Sequence, residues 1–345
     1  MDFKTVIREA LARGVDLSKD PIFREAMGGM SVRDVTEALG SDYFPKVTLD
    51  AAHNRLMQGY AAVPEDWRKV VNVDTASDFK WQYVTALNGY GNLPKVLPGE
   101  KYPFLTPGDG QERWKLDKYG RIFSIDMEAQ ANDQIGAFGK WSFNEGKAAQ
   151  RSLNYLVFRT LMHDNPTMYG DSTALFDASS HGNLLTSRTL NYANIKAGYE
   201  AMAAQTGRGL ETIRIIPRFL LVDPTNWLEA LRLTQSNELY QYMQPGATEG
   251  ETVNYGTFNV FGRGGLGLIP VLCEDIPNGY WYMVADPATC PTWTLGFYKG
   301  KQEPEMFREA PNTGGEFYQD SMSFKTRLIA GGVVEDYRGI VRMEE

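Results

Sequence analysis

Cysteine and histidine are scarce in this sequence. It has two cysteines, Cys273 and Cys290, and three histidines, His53, His163 and His181, among 345 residues. Such a set cannot supply a spaced zinc site, and a lone pair of thiols fits a chain kept reduced better than a disulfide scaffold. No apolar run approaches the ~20 residues needed to cross a bilayer. The opening MDFKTVIREALARG is charged and amphipathic, with no signal-peptide core. These absences predict a soluble protein of a reducing compartment, with no metal, no cofactor and no membrane partner. An excess of positive charge is also missing. Lys+Arg number 35 against 43 Asp+Glu, a net charge of −8. The chain as a whole therefore lacks the basic face of a nucleic-acid coat, which does not exclude a local basic patch. No Walker loop, EF-hand loop or zincin motif is present.

Two stretches imitate chemistry. The segment 174-ALFDASSHGNLLT-186 places Asp177, Ser179 and His181 within five residues. In known triads the nucleophile, base and orienting group converge from distant parts of the chain. In an extended segment these three side chains would stand side by side on one face, not in a relay of hydrogen bonds. No strand–turn–helix elbow of the Gly-x-Ser-x-Gly kind accompanies them. A polar loop with a His-Gly-Asn turn is the expectation. The run 262-GRGGLG-267 fits the spacing Gly-x-Gly-x-x-Gly, with Asp286 downstream as a ribose contact. Dinucleotide binding requires the last glycine to open a helix whose N-terminus faces the pyrophosphate. Here LIPVLCEDIPNGYWYMV follows, interrupted by Pro270 and Pro277. A glycine-rich turn between two strands is expected instead. Acidic pairs such as Glu274/Asp275 and Glu335/Asp336 put neighbouring side chains on opposite strand faces, which suits solvation rather than acid–base catalysis.

Composition is otherwise ordinary for a globular protein, at 43% hydrophobic and 23% charged. There is room for a large core or for two to three lobes. Short helices are predicted at 3–13 and after Ser31, with breakers at Asp20-Pro21 and Gly28-Gly29. They are too small to bury much alone and suggest an arm that packs on something else. Residues 49–63 read as a helix stopped by Pro64, and 79-FKWQYV-84 as an aromatic-rich strand.

The stretch 88–126 carries Pro94, Pro98, Pro103 and Pro107 and several Gly-containing turn pairs. Strand-like pieces lie at Gln111–Lys118 and Arg121–Ile125. A long two-stranded excursion is predicted, rich in aromatics and marginal on its own, so it is expected to lie against another chain.

From about Asn132 to Asp164 apolar residues recur with the helical period, at Ile135, Phe138, Ala149, Leu153, Leu156, Val157 and Leu161. Asn132 or Asp133 caps the start and Asn165-Pro166 ends it. Gly136, Gly139 and Gly146 either weaken the first half or admit another backbone. Beyond the polar loop 165–188, a helix at Tyr192–Gln205, a buried strand at 213–223 and a helix at 226–235 make a mixed α/β lobe. Residues 257–299 are strand-rich. The end, 323–343, alternates as one or two strands broken at Gly331-Gly332.

The segments 88-NGYGNLPKV-96, 120-GRIFSIDMEAQANDQIGAF-138, 147-KAAQRSLN-154, 175-LFDASSHGNLLT-186 and 217-PRFLLVDPTNWLEAL-231 resemble the major capsid (major head) proteins of tailed bacteriophages. The resemblance runs from about Arg55 to Arg342. It implies an α+β chain with the Hong Kong 97 type capsid fold. Its parts here would be an N-terminal arm (1–54), a lead-in to the P domain (55–85), and an extended E-loop hairpin (86–126). A P domain with a long spine helix (127–190), a mixed α/β A domain (191–320) and a P-domain return strand (321–345) would follow.

The implied function is structural. Identical copies would self-assemble into hexamers and pentamers of an icosahedral shell around double-stranded DNA, held without sequence specificity. The implied location is the virion, after assembly in the host bacterial cytoplasm. Further implied partners are portal, scaffolding or protease, and decoration proteins. E-loop residues Lys95, Lys101, Tyr102, Phe104, Arg113, Trp114, Lys115 and Lys118 would meet neighbouring copies. Some relatives cross-link an E-loop lysine to an asparagine, for which Lys95, Lys101, Lys115 and Lys118 are candidates by position. Other relatives lose a long N-terminal scaffolding region to a protease. With the resemblance beginning near Arg55, the expectation is no cleavage, a separate scaffolding chain, or an uncleaved form. The alternatives are an encapsulin-like compartment shell, and a hydrolase or oxidoreductase using Asp177, His181 or Gly264.

Overall fold

The computed structural model describes residues 44–86, 96, 101, 110–126, 137–207, 213–236, 238–239, 257–310, 314, 318–319 and 321–345. The two short helices foreseen before residue 40, the helix caps at Asn132 and Asp133, and most of the excursion tip lie outside these residues. In chain order come α1 Phe44–Ala61, β1 Val71–Ala76, β2 Gln82–Ala86, β3 Gly110–Trp114 and β4 Asp117–Asp126. Helix α2, Ala137–Tyr155, continues as a π-helical stretch, Leu156–His163. Then follow β5 Leu184–Leu185, α3 Tyr192–Ala203, β6 Pro217–Val222, α4 Trp227–Gln235, β7 Glu238–Leu239 and β8 Thr257–Phe258. The last strands are β9 Ile269–Leu272, β10 Tyr280–Ala285, β11 Trp293–Tyr298, β12 Glu305–Arg308, β13 Ser321–Val334 and β14 Ile340–Glu344.

The chain forms two compact units. The first takes in the described parts of Met1–Pro64, Asp117–Ser152 and Lys301–Ala330. In it β4 pairs antiparallel with Ser321–Ala330 of β13, and β12 pairs antiparallel with the other edge of β13. Side chains alternate between sheet faces. One face collects Ile125, Met322, Phe324 and Met306, which pack with Ala52, Leu56 and Leu49 of α1 and Trp141 of α2. Phe123 stacks on Trp141 at 4.3 Å between centroids. Helix α1 tolerates Pro45 because a first-turn residue has no intrahelical N–H bond to lose. The two helices meet backbone to backbone. A Cβ on Gly59 would lie 1.9 Å from Phe143 O, and one on Gly146 would lie 1.9 Å from Leu56 O. Gly146 thus admits another backbone, one of its two readings from sequence.

The second unit takes in the described parts of Glu65–Leu116, Leu153–Gly300 and Gly331–Glu345. Its largest sheet runs β5-β14-β10-β6-β9. β6, with the continuous apolar run Phe219–Val222, is buried on both faces, as a central strand must be. β6, α4 and β9 form a β–α–β unit with parallel strands, as the alternation of apolar strand and helix predicted. Leu220, Val222, Trp281, Met283, Val341 and Met343 belong to one core, joined by Ile195 and Met202 of α3. Asn191 caps α3, its Oδ1 accepting from Asn194 N at 2.9 Å. Elsewhere in the unit β1 pairs parallel with β11, and β2 pairs antiparallel with β3 as a two-stranded ribbon.

Four expectations are corrected. The aromatic strand is β2 at Gln82–Ala86, and Phe79 and Lys80 lie in the bend before it. β1 was not foreseen, because VNVDTA mixes polar residues into a strand with only its ends buried. The rising strand stops at Trp114, and a second begins at Asp117. Gly331-Gly332 do not break the last strand, because β13 runs through them to Val334. They mark crowding instead, since a Cβ on Gly331 would lie 2.0 Å from Lys115 O.

Candidate functional site

The loop that imitates a hydrolase is an anchored turn. His181 is buried, with Nδ1 3.0 Å from Leu175 O and Nε2 2.9 Å from Asp171 Oδ2. Its ring stacks on Tyr337 at 3.7 Å between centroids. Both ring nitrogens are therefore taken by groups other than Ser179. Asp177 Oδ1 accepts from Ser179 N, Ser179 Oγ and Ser180 N. Those hydrogen bonds, the Ser180 amide foremost, hold its carboxyl down at about 2. Asn183 donates to Leu175 O and Tyr337 O. The stretch is an Asx-type turn pinned by a stacked imidazole. The glycine run 262–267 also behaves as a turn. Gly265 N donates to Gly262 O, Leu266 N donates to Val260 O, and β9 rather than a helix follows. No phosphate-binding helix end is formed there.

The ribbon β2–β3 carries a more distinctive arrangement. Its two faces differ, because cross-strand partners share a face. Trp114 and Glu112 point to one side and are buried. Trp114 fits over Gly296, where a Cβ would lie 1.6 Å from the indole. Glu112 accepts from Tyr169 N at 2.8 Å and Gly170 N at 3.0 Å. On the other face Tyr83 pairs with Arg113. The Arg113 guanidinium lies 4.1 Å from the Tyr169 ring centroid and 4.5 Å from that of Trp81. Lys115 Nζ approaches Trp81 at 5.5 Å. Trp81, Tyr83 and Tyr169 stay 46%, 56% and 48% exposed. Adjacent residues of β3 thus grip Tyr169 twice, Glu112 by its backbone and Arg113 by its ring.

Among the residues expected at subunit contacts, Arg113 and Lys115 share this face. Lys101 is exposed, and Lys118 is exposed at the start of β4 in the first unit. Lys95, Tyr102 and Phe104 lie outside the described residues. Trp114 is a correction. It is 2% exposed and serves the chain's own core. Sequence reasoning missed Trp81, Tyr169 and Glu112 as parts of the site. The alternation of 79-FKWQYV-84 signalled Trp81 and Tyr83, whereas nothing local marks Tyr169, which reaches Arg113 only through the fold.

His163 and the two cysteines of the second unit are packing groups. His163 Nδ1 is 2.9 Å from Tyr282 Oη, and its ring meets Tyr280 edge-on. Burial, aided by the nearby Arg342 charge, lowers its pKa to about 4. Cys273 and Cys290 are free and buried. Burial pushes the Cys290 thiol up to about 12 and the Cys273 thiol up as well. Such thiols are poor nucleophiles. Among the described residues no group of His, Cys, Asp and Glu is arranged to hold a metal ion, and no helix is long and apolar enough to cross a membrane.

Comparison with known proteins gives a consistent picture. The family profile described as phage capsid protein matches residues 110–343. No curated protein matches the sequence. Among solved structures, the chain is similar to that of Mycobacterium phage Bobi, at 14% identity and a TM-score of 0.50 over 81% of this chain and 89% of that one. It is similar to that of Microbacterium phage Oxtober96, at 11% identity and a TM-score of 0.50 over 81% and 90%. It also matches the SrpI encapsulin of Synechococcus elongatus, at 11% identity and a TM-score of 0.49 over 82% and 87%. At such identities the two phage structures speak for the fold alone, a mixed α/β fold of the phage capsid kind. The matched residues span β3 to β14, most of the described structure, and on that ground the chain belongs to the phage capsid protein family.

Proposed function

We propose that this chain is the major capsid protein of a tailed phage or prophage. Its copies assemble into hexamers and pentamers that close into an icosahedral head around double-stranded DNA. In this reading residues 86–126 are the E-loop, whose base is the β2–β3 ribbon. α2 with its π-helical continuation is the spine helix of a P domain (127–190). Residues 191–320 form the A domain, 321–345 return to the P domain, and 1–54 are an arm that reaches adjacent subunits. Lys101, Arg113, Lys115 and Lys118, with Lys95, Tyr102 and Phe104, contact neighbouring copies. The family match over residues 110–343 carries the proposal.

Shell building needs no chemistry. Identical subunits close into shells through heterologous contacts, and many modest contacts per copy add up through multivalent closure. The net charge of −8 makes any contact with packaged DNA local, non-specific and weakened by salt. Portal, scaffolding or protease, and decoration proteins are the further partners this reading admits. Assembly takes place in the bacterial cytoplasm, and the product resides in the virion.

Expression followed by size-exclusion chromatography and negative-stain microscopy tests this. Shells or capsomers support it, and a monomer across a range of salt contradicts it. Content then separates the two kinds of shell. Nuclease-protected DNA fits a phage head, whereas a co-purifying protein cargo without DNA fits an encapsulin-like compartment.

A further inference from the structure

On the basis of the capsid reading, we infer that the Trp81–Arg113–Tyr169 cluster is an inter-copy socket in which Arg113 receives a carboxylate from a second copy of this chain. The cluster lies wholly in the second unit. Two aromatic rings lie within stacking distance of the guanidinium carbon, Tyr169 at 4.1 Å and Trp81 at 4.5 Å. Stacking leaves the N–H edge of a guanidinium open, and that edge matches a carboxylate through two parallel hydrogen bonds. Among the described residues no carboxylate pairs with Arg113 or with Lys115 beside it. Among the described residues, therefore, two cations stand together on an acidic chain without a paired anion.

The socket is also held rigid. Glu112, 3% exposed, fixes the Tyr169 and Gly170 amides from the opposite face of the ribbon. The fork is thus pre-organised, and little side-chain freedom is left to lose on binding. Exposed Trp81, Tyr83 and Tyr169 around it match the aromatic and arginine content of interface centres.

The choice of occupant follows from charge. Each copy carries 43 acidic and 35 basic side chains, so copies brought together repel unless acids of one meet bases of the next. A carboxylate on a second copy relieves that repulsion and neutralises Arg113 and Lys115. A phosphate of nucleic acid is the competing occupant, and the experiment separates the two.

The test compares wild type with Arg113→Gln, Arg113→Glu and Arg113→Lys, together with carbodiimide treatment of wild-type particles grown from mixed light and 15N-labelled chains. Arg113→Gln is expected to raise the concentration at which particles form by ~10-fold, and Arg113→Glu by more. Melting temperatures should stay within ~2 °C of wild type. Arg113→Lys keeps the charge without the fork, so it should recover assembly only in part. Carbodiimide should join Lys115 to an Asp or Glu in peptides of mixed isotope, which only an inter-copy contact produces. Particle formation by Arg113→Glu at the wild-type concentration would overturn the inference. Exclusively same-isotope Lys115 cross-links would do so too, as would variants that assemble normally but lose packaged nucleic acid. If a variant melts far lower, the cross-link on wild type decides by itself. If wild type forms no particles at all, the capsid reading fails before this one is reached.

Discussion

Glu112 is a buried carboxylate held by two backbone amides, Tyr169 N at 2.8 Å and Gly170 N at 3.0 Å. Removing it strands two N–H groups away from water, each worth ~1–3 kcal/mol. Glu112→Ala is therefore expected to lower the unfolding free energy by about 2–4 kcal/mol, and Glu112→Gln, which keeps one acceptor, by about half of that. Urea unfolding measures both. A change below ~0.5 kcal/mol for the alanine variant would show that water replaces the carboxylate.

His163 makes the second residue-scale prediction. Its pKa falls from 6.5 to about 4 because burial, and then the Arg342 charge, disfavour the imidazolium. The unfolded chain therefore takes up a proton near pH 6.5 while the folded chain stays neutral until about pH 4. The contribution to stability is fully present above pH 6.5, is lost as pH falls from there to about 4, and changes no further below that. His163→Phe should flatten the melting-temperature profile in this window. An unchanged slope would place the proton uptake elsewhere.

At the level of elements, the contact between α1 and α2 depends on glycine. A Cβ on Gly146 would sit 1.9 Å from Leu56 O, a backbone atom that cannot rotate away. Gly146→Ala should destabilise the first unit by about 1–3 kcal/mol or more, despite alanine's better helix propensity. Thermal melting gives the sign directly, and a stabilised variant would mean that the helices separate freely.

Elements were legible in the sequence where a single pattern set them. The 3.6-residue spacing of Ala149, Leu153, Leu156 and Val157 revealed the long helix, and the apolar run Phe219–Val222 revealed a buried strand. Tertiary context decided the rest. β1 buries only its ends, Val71 and Ala76, so the short alternation of VNVD marks no buried face. Gly331-Gly332 look like a break, yet they keep the strand and accommodate Lys115 O, a group far away in sequence. The site was half legible for the same reason. Arg113 and Trp81 stand in a readable aromatic strand pair, but Tyr169 and the buried anchor Glu112 acquire their roles only when residues 165–175 fold against the ribbon. Trp114 looked like a surface contact because it shares that aromatic stretch. Strand parity sends it inward onto Gly296.

For the whole molecule, the net negative charge, the family match over residues 110–343 and the exposed aromatic face of the ribbon support the proposed reading, in which the chain completes its burial against copies of itself. Such assembly is cooperative, because each added copy engages several neighbours at once. The particle mass of the purified wild-type chain, followed by sedimentation velocity as concentration rises, tests this most directly. The account predicts a sharp passage to a closed species many times the 38.7 kDa chain, with little between capsomer and shell. A single boundary at 38.7 kDa across all concentrations and salt conditions would contradict it.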